Sequence, residues 1–593
     1  MLDHLMRSGR GKIDYFLRSG LVCLALASAH AAPVHLVEQE PVQITTPTPG
    51  VILVDFGRVA FGNLQITPPA NAKGTIKVHF GEALAADRVN RQPPGTVRYA
   101  QAGTALDGTK PLIVAPAADK RNTKPPAVRT PADWGVVIPF RWVEIEGWPG
   151  ELHPESIRRR AAFPTTWDDQ AAAFQSSDPH LNQIWELCRY SIKATTFAGI
   201  YVDGDRERLA YEADAYLEQL SHYYTDRDGQ MARDTFDHLM KFPTWPTEWA
   251  SHMIFMAHAD WMRTGDTRWL GDRYVALKSK LLHANARPDG LILSSPAKVK
   301  HDDLVDWPGA ERDGFVMTPV NTVVNAFHLR SLALMAELAR ATNHAEDAAE
   351  YTKLEATARA AFQEKLFDPA RGIYRDGVGT DHTSQHANLF PLAFGLVPTE
   401  LRPKVTHWVA GRGMACSVYG AQYLLEGLFE NAAAKEALDL MTASNDRSWK
   451  HMVESGTTIT WEAWDQRYKP NQDWNHAWGA APANLLPRFV LGAQPLVAGW
   501  SRAAIQPNPG SLKSANGKIP TPRGPILIRW ENAASFKLSL QLPAGISAQV
   551  RIPATEKSTG VLMAGQPARA RRDGAWWLLE SDVTGTTVIE TTQ

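Results

Sequence analysis

The apolar residues of this 593-residue chain change their spacing twice, and each change marks a boundary that any fold must respect. In Thr75 to Phe80, Ile76, Val78 and Phe80 alternate with Thr75, Lys77 and His79, the period of a half-buried strand. At Ser176-Ser177-Asp178-Pro179 the spacing becomes helical. Asp178 is an N-cap, Pro179 suits the first helical position, and Leu181, Ile184, Trp185, Cys188 and Ile192 follow on one face. After Leu491-Gly492 the period of two returns, in Ile526, Ile528 and Trp530 and again in Phe536, Leu538, Leu540 and Leu542. So long a chain exceeds a single core. The expectation is a multidomain protein: an N-terminal β-sandwich over residues 34–169, a helical domain over 174–491 and a C-terminal β-sandwich over 495–593.

Within the helical stretch, Val320, Val323, Val324, Phe327, Leu334, Met335 and Leu338 form one apolar stripe. Asn343-His344 interrupts it, and Tyr351, Leu354, Ala358, Phe362 and Leu366 form the next. Further pairs are expected around Val405 to Val409, Tyr419 to Phe429 and Ala432 to Met441. A closed ring of helical hairpins, an α/α toroid, accommodates them, and no motif of fixed period supports a stacked solenoid. Asp87 to Asp133, polar and rich in Pro and Gly, reads as a long insertion loop.

Arg7, Arg10, Lys12 and Arg18 precede the apolar run Gly20 to Ala29, and Ala29-His30-Ala31 fits a small-x-small cleavage site. Residues 1–31 therefore read as a secretory signal, with a mature start near Ala32 and a destination outside the cytoplasm, periplasmic or secreted. The apolar run is too short for a membrane span, and no later stretch approaches the roughly twenty apolar residues one needs. Lys+Arg number 62 against 63 Asp+Glu, a net charge of −1 with no footprint for nucleic acid. After the signal, Cys188 and Cys416 remain, read as two buried thiols. No Cys/His cluster has zinc spacing and no Gly-rich phosphate loop occurs, so neither a cofactor nor a metal is expected.

Two stretches concentrate chemistry. Tyr201 to Tyr216, YVDGDRERLAYEADAY, holds Asp203, Asp205, Glu207, Glu212 and Asp214 beside only Arg206 and Arg208. On a helix beginning near Asp205, Glu207 and Asp214 would share a face. An acid-rich first helical turn is the plainer explanation. Thr457 to Gly479 sets Glu462 and Asp465 among Trp461, Trp464, Trp474 and Trp478, with His476 nearby. Carboxylates among aromatic rings suit a sugar, whose C–H faces stack and whose hydroxyls need charged partners. A tryptophan-rich core segment is the alternative.

These motifs resemble the inverting α-L-rhamnosidases of glycoside hydrolase family 78. Asp203, Arg206, Glu207-Arg208, Asp214 and Ala215 occupy places of the family's acid motif, and Thr457-Thr458, Trp461-Glu462, Trp464 and Asn475-His476 those of its late motif. The resemblance implies an (α/α)6 barrel between β-sandwiches, with Glu207 as general acid and Glu462 as general base. It implies sugar contacts from Asp203, Arg206, Asp214, Trp249, Asp306, Trp307, Trp461, Trp464 and His476. The family's Gly-Trp is Ala210-Tyr211 here, its second Gly is Ala213, and its Cys-Pro is absent.

The function so implied is an exported, inverting exo-glycosidase that removes terminal α-L-rhamnosyl residues, its partner a carbohydrate substrate. Two alternatives stay open: another six-hairpin glycosidase, such as an unsaturated glucuronyl hydrolase, and a sugar-binding protein without turnover.

Overall fold

Secondary structure changes where the apolar period changes in the computed structural model, which describes residues 34–108 and 110–593. The signal reading of residues 1–31 lies outside the described residues. A helical unit sits in the chain between two β-rich ones. In the first, Val34–Gln39, Ile157–Pro164, Val51–Ile66, Ile138–Glu146, Thr75–Gly81 and Tyr99–Ala105 lie side by side, all antiparallel. The alternation in Thr75–Gly81 buries Ile76, Val78 and Phe80, which meet Phe140, Val143 and Ile145 in a core of its own.

Helix α1 (Pro179–Thr195) starts because the Asp178 carboxylate accepts the His180 N–H at 2.8 Å and Pro179 needs no N–H partner. Its buried face carries Leu181, Ile184, Trp185, Cys188 and Ile192. Each such side chain contributes roughly 1.5–3 kcal/mol when fully buried, so a charge at Ile184 would cost the helix its seat. The stripe from Val320 onward becomes the helix Thr322–Ala341, capped by Asn321, and the next becomes Ala345–Leu366. Asn343 turns the chain between them at φ 63°, and the two helices pack on each other. Cys188 and Cys416 are both free and buried.

In the C-terminal unit, Ser514–Ile519, Ile526–Asn532 and Phe536–Gln541 are neighbours in a seven-stranded sheet, and a second sheet has five strands. The short strand Ala173–Ser176 pairs with Ser514–Ile519, so the chain enters α1 directly from the C-terminal sheet. The Trp530 indole N–H donates to the Val490 carbonyl at 2.8 Å at the other end of the helical unit. One apolar core runs from the helices into this sheet and includes Trp449, Trp464, Trp478 and Trp530. Among the described residues, no helix is long and apolar enough to cross a membrane.

Two expectations are corrected. Asp87 to Asp133 is not one loop: Tyr99–Ala105 pairs with Thr75–Gly81, and Leu112–Val114 pairs with Val51–Ile66. Small residues such as Ala100, Ala102 and Gly103 give that strand no β-branched pattern to read. Nor does a helix begin near Asp205. Helix α2 runs Glu212–Thr225, and residues 203–210 are irregular, with Gly204 at φ 115° and Arg208 at φ 55°. Neither angle fits a right-handed helix.

Candidate active site

Four segments meet at one cleft: the loop 203–211 before α2, the connection between α3 (Gln230–Lys241) and α4 (Ala250–Thr264), the turn around Trp307, and the stretch 462–478. The first loop is pinched shut at its base. Asp203 N–H donates to the Leu209 carbonyl at 2.8 Å, and the Leu209 N–H returns to the Asp203 carboxylate at 2.7 Å. Gly204 is required there. A Cβ would lie 2.7 Å from the Asn475 carbonyl oxygen, on a backbone that L-residues rarely adopt.

Glu207 projects from this loop with its side chain 41% exposed. Tyr211 Oη–H donates to its Oε2 at 3.0 Å, and Arg206 Nε stands 3.5 Å from its Oε1. Glu462 differs in every respect. Its side chain is 2% exposed, both oxygens accept from the Arg206 guanidinium at 3.0 and 2.8 Å, and Lys469 Nζ lies 3.0 Å from Oε1. A bidentate guanidinium and an ammonium fix the orientation of this side chain. Arg206 thus binds Glu462 and stands near Glu207, while Arg208 pairs with Asp205.

Deeper in the cleft, His476 Nε2 is 2.8 Å from Asp214 Oδ1, and its Nδ1 is 3.5 Å from Asp473 Oδ1. Burial alone would favour neutral imidazole, but the two carboxylates outweigh it and raise the His476 pKa well above the usual value. Asp203 shifts the other way in charge. Burial, reinforced by Glu207 and Asp473 and opposed by His476 and the Leu209 N–H, pushes its carboxyl well above the usual range. Both shifts favour the protonated form of the group.

Aromatic rings complete the walls. Trp249 is buried and meets Tyr211 edge-on at 5.9 Å, and Trp478 donates its indole N–H to the Glu462 carbonyl at 3.1 Å. Trp245 and Trp307 stand at the mouth, 52% and 38% exposed. Glu462, Asp473 and His476 place ligand-type atoms within 4.8 Å of one another. Arg206 and Lys469 already occupy Glu462, and both His476 nitrogens face carboxylates, so protein cations balance this cluster.

The cleft brings together Glu207, Glu462, Asp203, Arg206, Asp214, Trp249, Trp307 and His476. It does not bring in Asp306, Trp461 or Trp464. Asp306 is fully buried, accepting from Trp307 N–H and Ser417 N–H and pairing with His386 Nε2 at 2.6 Å, so it anchors the Trp307 turn from behind. Trp464 donates to the Cys416 carbonyl and packs edge-on against Trp449, and Trp461 stacks on Trp474. Those two are core, because neighbouring positions of an irregular segment point apart and Glu462 alone of the three turns to the cleft. Asp465 pairs with His451 outside the cleft. Lys469 and Asp473 were open to view in the same acid-aromatic stretch. Trp245, which the segment FPTWPTEW sets four residues before Trp249 as a candidate to line a subsite or cap a helix, lines the cleft with it.

A pair of carboxylates in an aromatic cleft, one wet and one clamped, is thus carried by a helical unit that lies in the chain between two β-rich ones. The chain belongs to the bacterial α-L-rhamnosidase six-hairpin glycosidase family, whose domain matches residues 169–490, over half of the chain. The family's concanavalin-like domain matches residues 45–163 and its C-terminal domain residues 492–565. An α-L-rhamnosidase of Streptomyces avermitilis is 24% identical over 561 residues, covering 88% of this chain and 50% of that protein. One from Alteromonas sp. is 27% identical over 451 residues, covering 70% of this chain and 48% of the relative. The chain thus spans about half the length of these relatives. Among solved structures, the Streptomyces avermitilis α-L-rhamnosidase complexed with L-rhamnose superposes with a TM-score of 0.76 at 21% identity, covering 95% of this chain and 54% of that one. The α-L-rhamnosidase from Dictyoglumus thermophilum gives 0.78 at 18%, covering 95% and 64%.

Proposed function

We propose that this protein is an exported exo-glycosidase that hydrolyses terminal α-L-rhamnosyl residues with inversion, its helical unit an (α/α)6 barrel between β-sandwiches. One observation carries the reading: Glu207 and Glu462 line one cleft in opposite environments, the first exposed and the second clamped by Arg206 and Lys469. Glu207, reached by solvent and by a phenol, is placed to protonate the glycosidic oxygen. Glu462, oriented by Arg206 and Lys469, takes a proton from water on the other face of the ring. Inversion requires about 6.5–9.5 Å between the carboxyl groups, and a guanidinium between them is a spacer of suitable kind. Asp203, Asp214 and His476 offer donors and acceptors to ring hydroxyls, and Trp249 and Trp478 offer faces to the C–H side.

The cleft volume of about 110 Å³ is well below the roughly 300–1,000 Å³ of pockets for drug-sized ligands. That favours one terminal sugar over an internal stretch of polymer. A uronate substrate is disfavoured because both cations lining the cleft, Arg206 and His476, already face carboxylates. Export rests on the basic, apolar and Ala-x-Ala order of residues 1–31.

The experiment is a panel of aryl α-L-rhamnoside, α-L-fucoside, β-glucuronide and unsaturated uronide substrates given to the purified protein. Preference for the rhamnoside is expected. A uronide winner would move the assignment to another six-hairpin activity, and no turnover would leave a binding protein.

A further inference from the structure

The stretch between Glu82 and Val137, outside the helical unit, makes a set of contacts that the acid-base reading does not use. Arg98 is buried, and its Nε donates to Asp205 Oδ2 at 2.6 Å while its Nη2 bonds the same carboxylate and its Nη1 reaches Asp119 Oδ2 at 2.9 Å. The Arg98 backbone N–H donates to Glu82 Oε2 at 2.6 Å. Glu82 Oε1 accepts from Asn475 Nδ2 at 3.0 Å, and Asn475 Oδ1 accepts from the Asp205 backbone N–H at 2.7 Å. The bonds close a ring, Arg98 to Asp205 to Asn475 to Glu82 and back, with every member buried.

Two members of the ring adjoin residues of the cleft in sequence. Asp205 precedes Arg206 and Glu207, and Asn475 precedes His476. The same stretch holds the loop at two further points: Asn122 Nδ2 donates to the Asp205 carbonyl at 2.7 Å, and Val128 N–H donates to the Arg208 carbonyl at 2.9 Å. Arg208, at φ 55°, returns a bond of 2.6 Å to the Val137 carbonyl. A left-handed non-glycine residue persists only where its surroundings over-determine it. Residues 203–209 have no helix or strand of their own, so their conformation comes from these partners.

We propose that Arg98 is a positioning residue for the loop 203–209, acting through Asp205 to set the direction of Glu207, so that the N-terminal β-rich unit is part of the active site. Arg98 touches neither Glu207 nor Glu462. Arginine suits the place because one rigid planar fork gives two bonds to Asp205 and one to Asp119, where an ammonium is a point donor without fixed direction.

The test uses the full chain with Arg98→Lys, Arg98→Ala and, as control, Arg502→Ala, which breaks an exposed pair with Asp582 in the C-terminal unit. The kinetic arm rests on the rhamnosidase reading. A displaced general acid harms poor leaving groups most, so kcat on an alkyl rhamnoside is expected to fall at least about tenfold more than kcat on an activated aryl rhamnoside. KM is expected to move far less, and added guanidinium at non-denaturing concentration to restore part of the Arg98→Ala loss. Equal losses on both substrates in folded variants, or a loss in KM alone, would overturn the proposal. The second arm needs no activity: amide hydrogen exchange over 203–209 is expected to quicken about tenfold in Arg98→Lys while the helix Thr322–Ala341 is unchanged. Unaltered exchange over 203–209 overturns the proposal even if the protein hydrolyses nothing. If Arg98→Ala does not fold, Asn122→Ala, which loses the bonds from the Asn122 amide to the Asp205 carbonyl and carboxylate, is read in both arms with the same criteria.

Discussion

Replacing Arg206 by lysine keeps a positive charge between the two acids but removes the fork that fixes Glu462. In the native cleft the guanidinium gives Glu462 two bonds, at 3.0 and 2.8 Å, and the Asn471 carbonyl a third at 3.0 Å. A lysine keeps at most one of the two carboxylate bonds. One charge-assisted hydrogen bond is worth about 1.5–3 kcal/mol. At about 1.36 kcal/mol per decade this is a loss of about 10- to 150-fold in kcat, with the lower end favoured because Lys469 still holds Oε1. The defect falls on the base. Arg206 bonds Glu462 but stands 3.5 Å from Glu207, beyond good hydrogen-bond range. Loss should therefore be equal for activated aryl and unactivated alkyl rhamnosides, measured as kcat on both at matched pH, with circular dichroism to verify folding. A loss confined to the alkyl substrate would place Arg206 with the acid, and activity within twofold of wild type would refute the clamp.

Glu207→Gln should behave oppositely, losing about 10²–10⁴-fold on alkyl or sugar leaving groups and much less on an aryl group that needs no proton; equal losses would remove Glu207 from the acid role. Glu462→Ala should be nearly inactive yet yield a glycosyl azide of inverted configuration when azide is supplied, and a retained azide would contradict its role as base. Burial pushes the Glu82 carboxyl up to about 8, against the Arg98 N–H and the Asn475 amide, and burial raises Glu248 and Glu311 to about 7. The folded state then holds protons that the unfolded chain has lost above about pH 4.3, so stability should fall as pH rises from there to about 8. Thermal melts across that range test it, and stability rising with pH would show that other groups dominate. Trp245→Ala, at the exposed mouth, should raise KM for large aglycones while leaving methyl rhamnoside unaffected; an equal effect on both would place Trp245 deeper than the rim.

The parts that could be read from sequence are those whose information is local. The cap at Asp178, the stripes of Thr322–Ala341 and Ala345–Leu366, and the alternation of Phe536–Gln541 each lie within one element and follow from side-chain periodicity. The acids were legible because carboxylates among aromatics are rare. Their surroundings were not. Arg98 reaches Asp205 across 107 positions and Arg206 reaches Glu462 across 256, and no local pattern carries such pairings. The stretch 87–133 reads as a loop because Tyr99–Ala105 lacks a β-branched pattern and its partners, among them residues 205 and 208, lie far off in sequence. The helix expected at Asp205 failed for the same reason: acids spaced for one face are outvoted by partners contributed from elsewhere. Trp461 and Trp464 matched a motif, but on an irregular segment adjacency to Glu462 says nothing about direction.

The most direct test of the account is proton NMR of the first product formed from an aryl α-L-rhamnoside, recorded before mutarotation. A buried, doubly clamped Glu462 acting on water predicts β-L-rhamnose first, with the α anomer appearing only later. α-L-Rhamnose as the first product, or a sugar trapped covalently on Glu462, would contradict the mechanism.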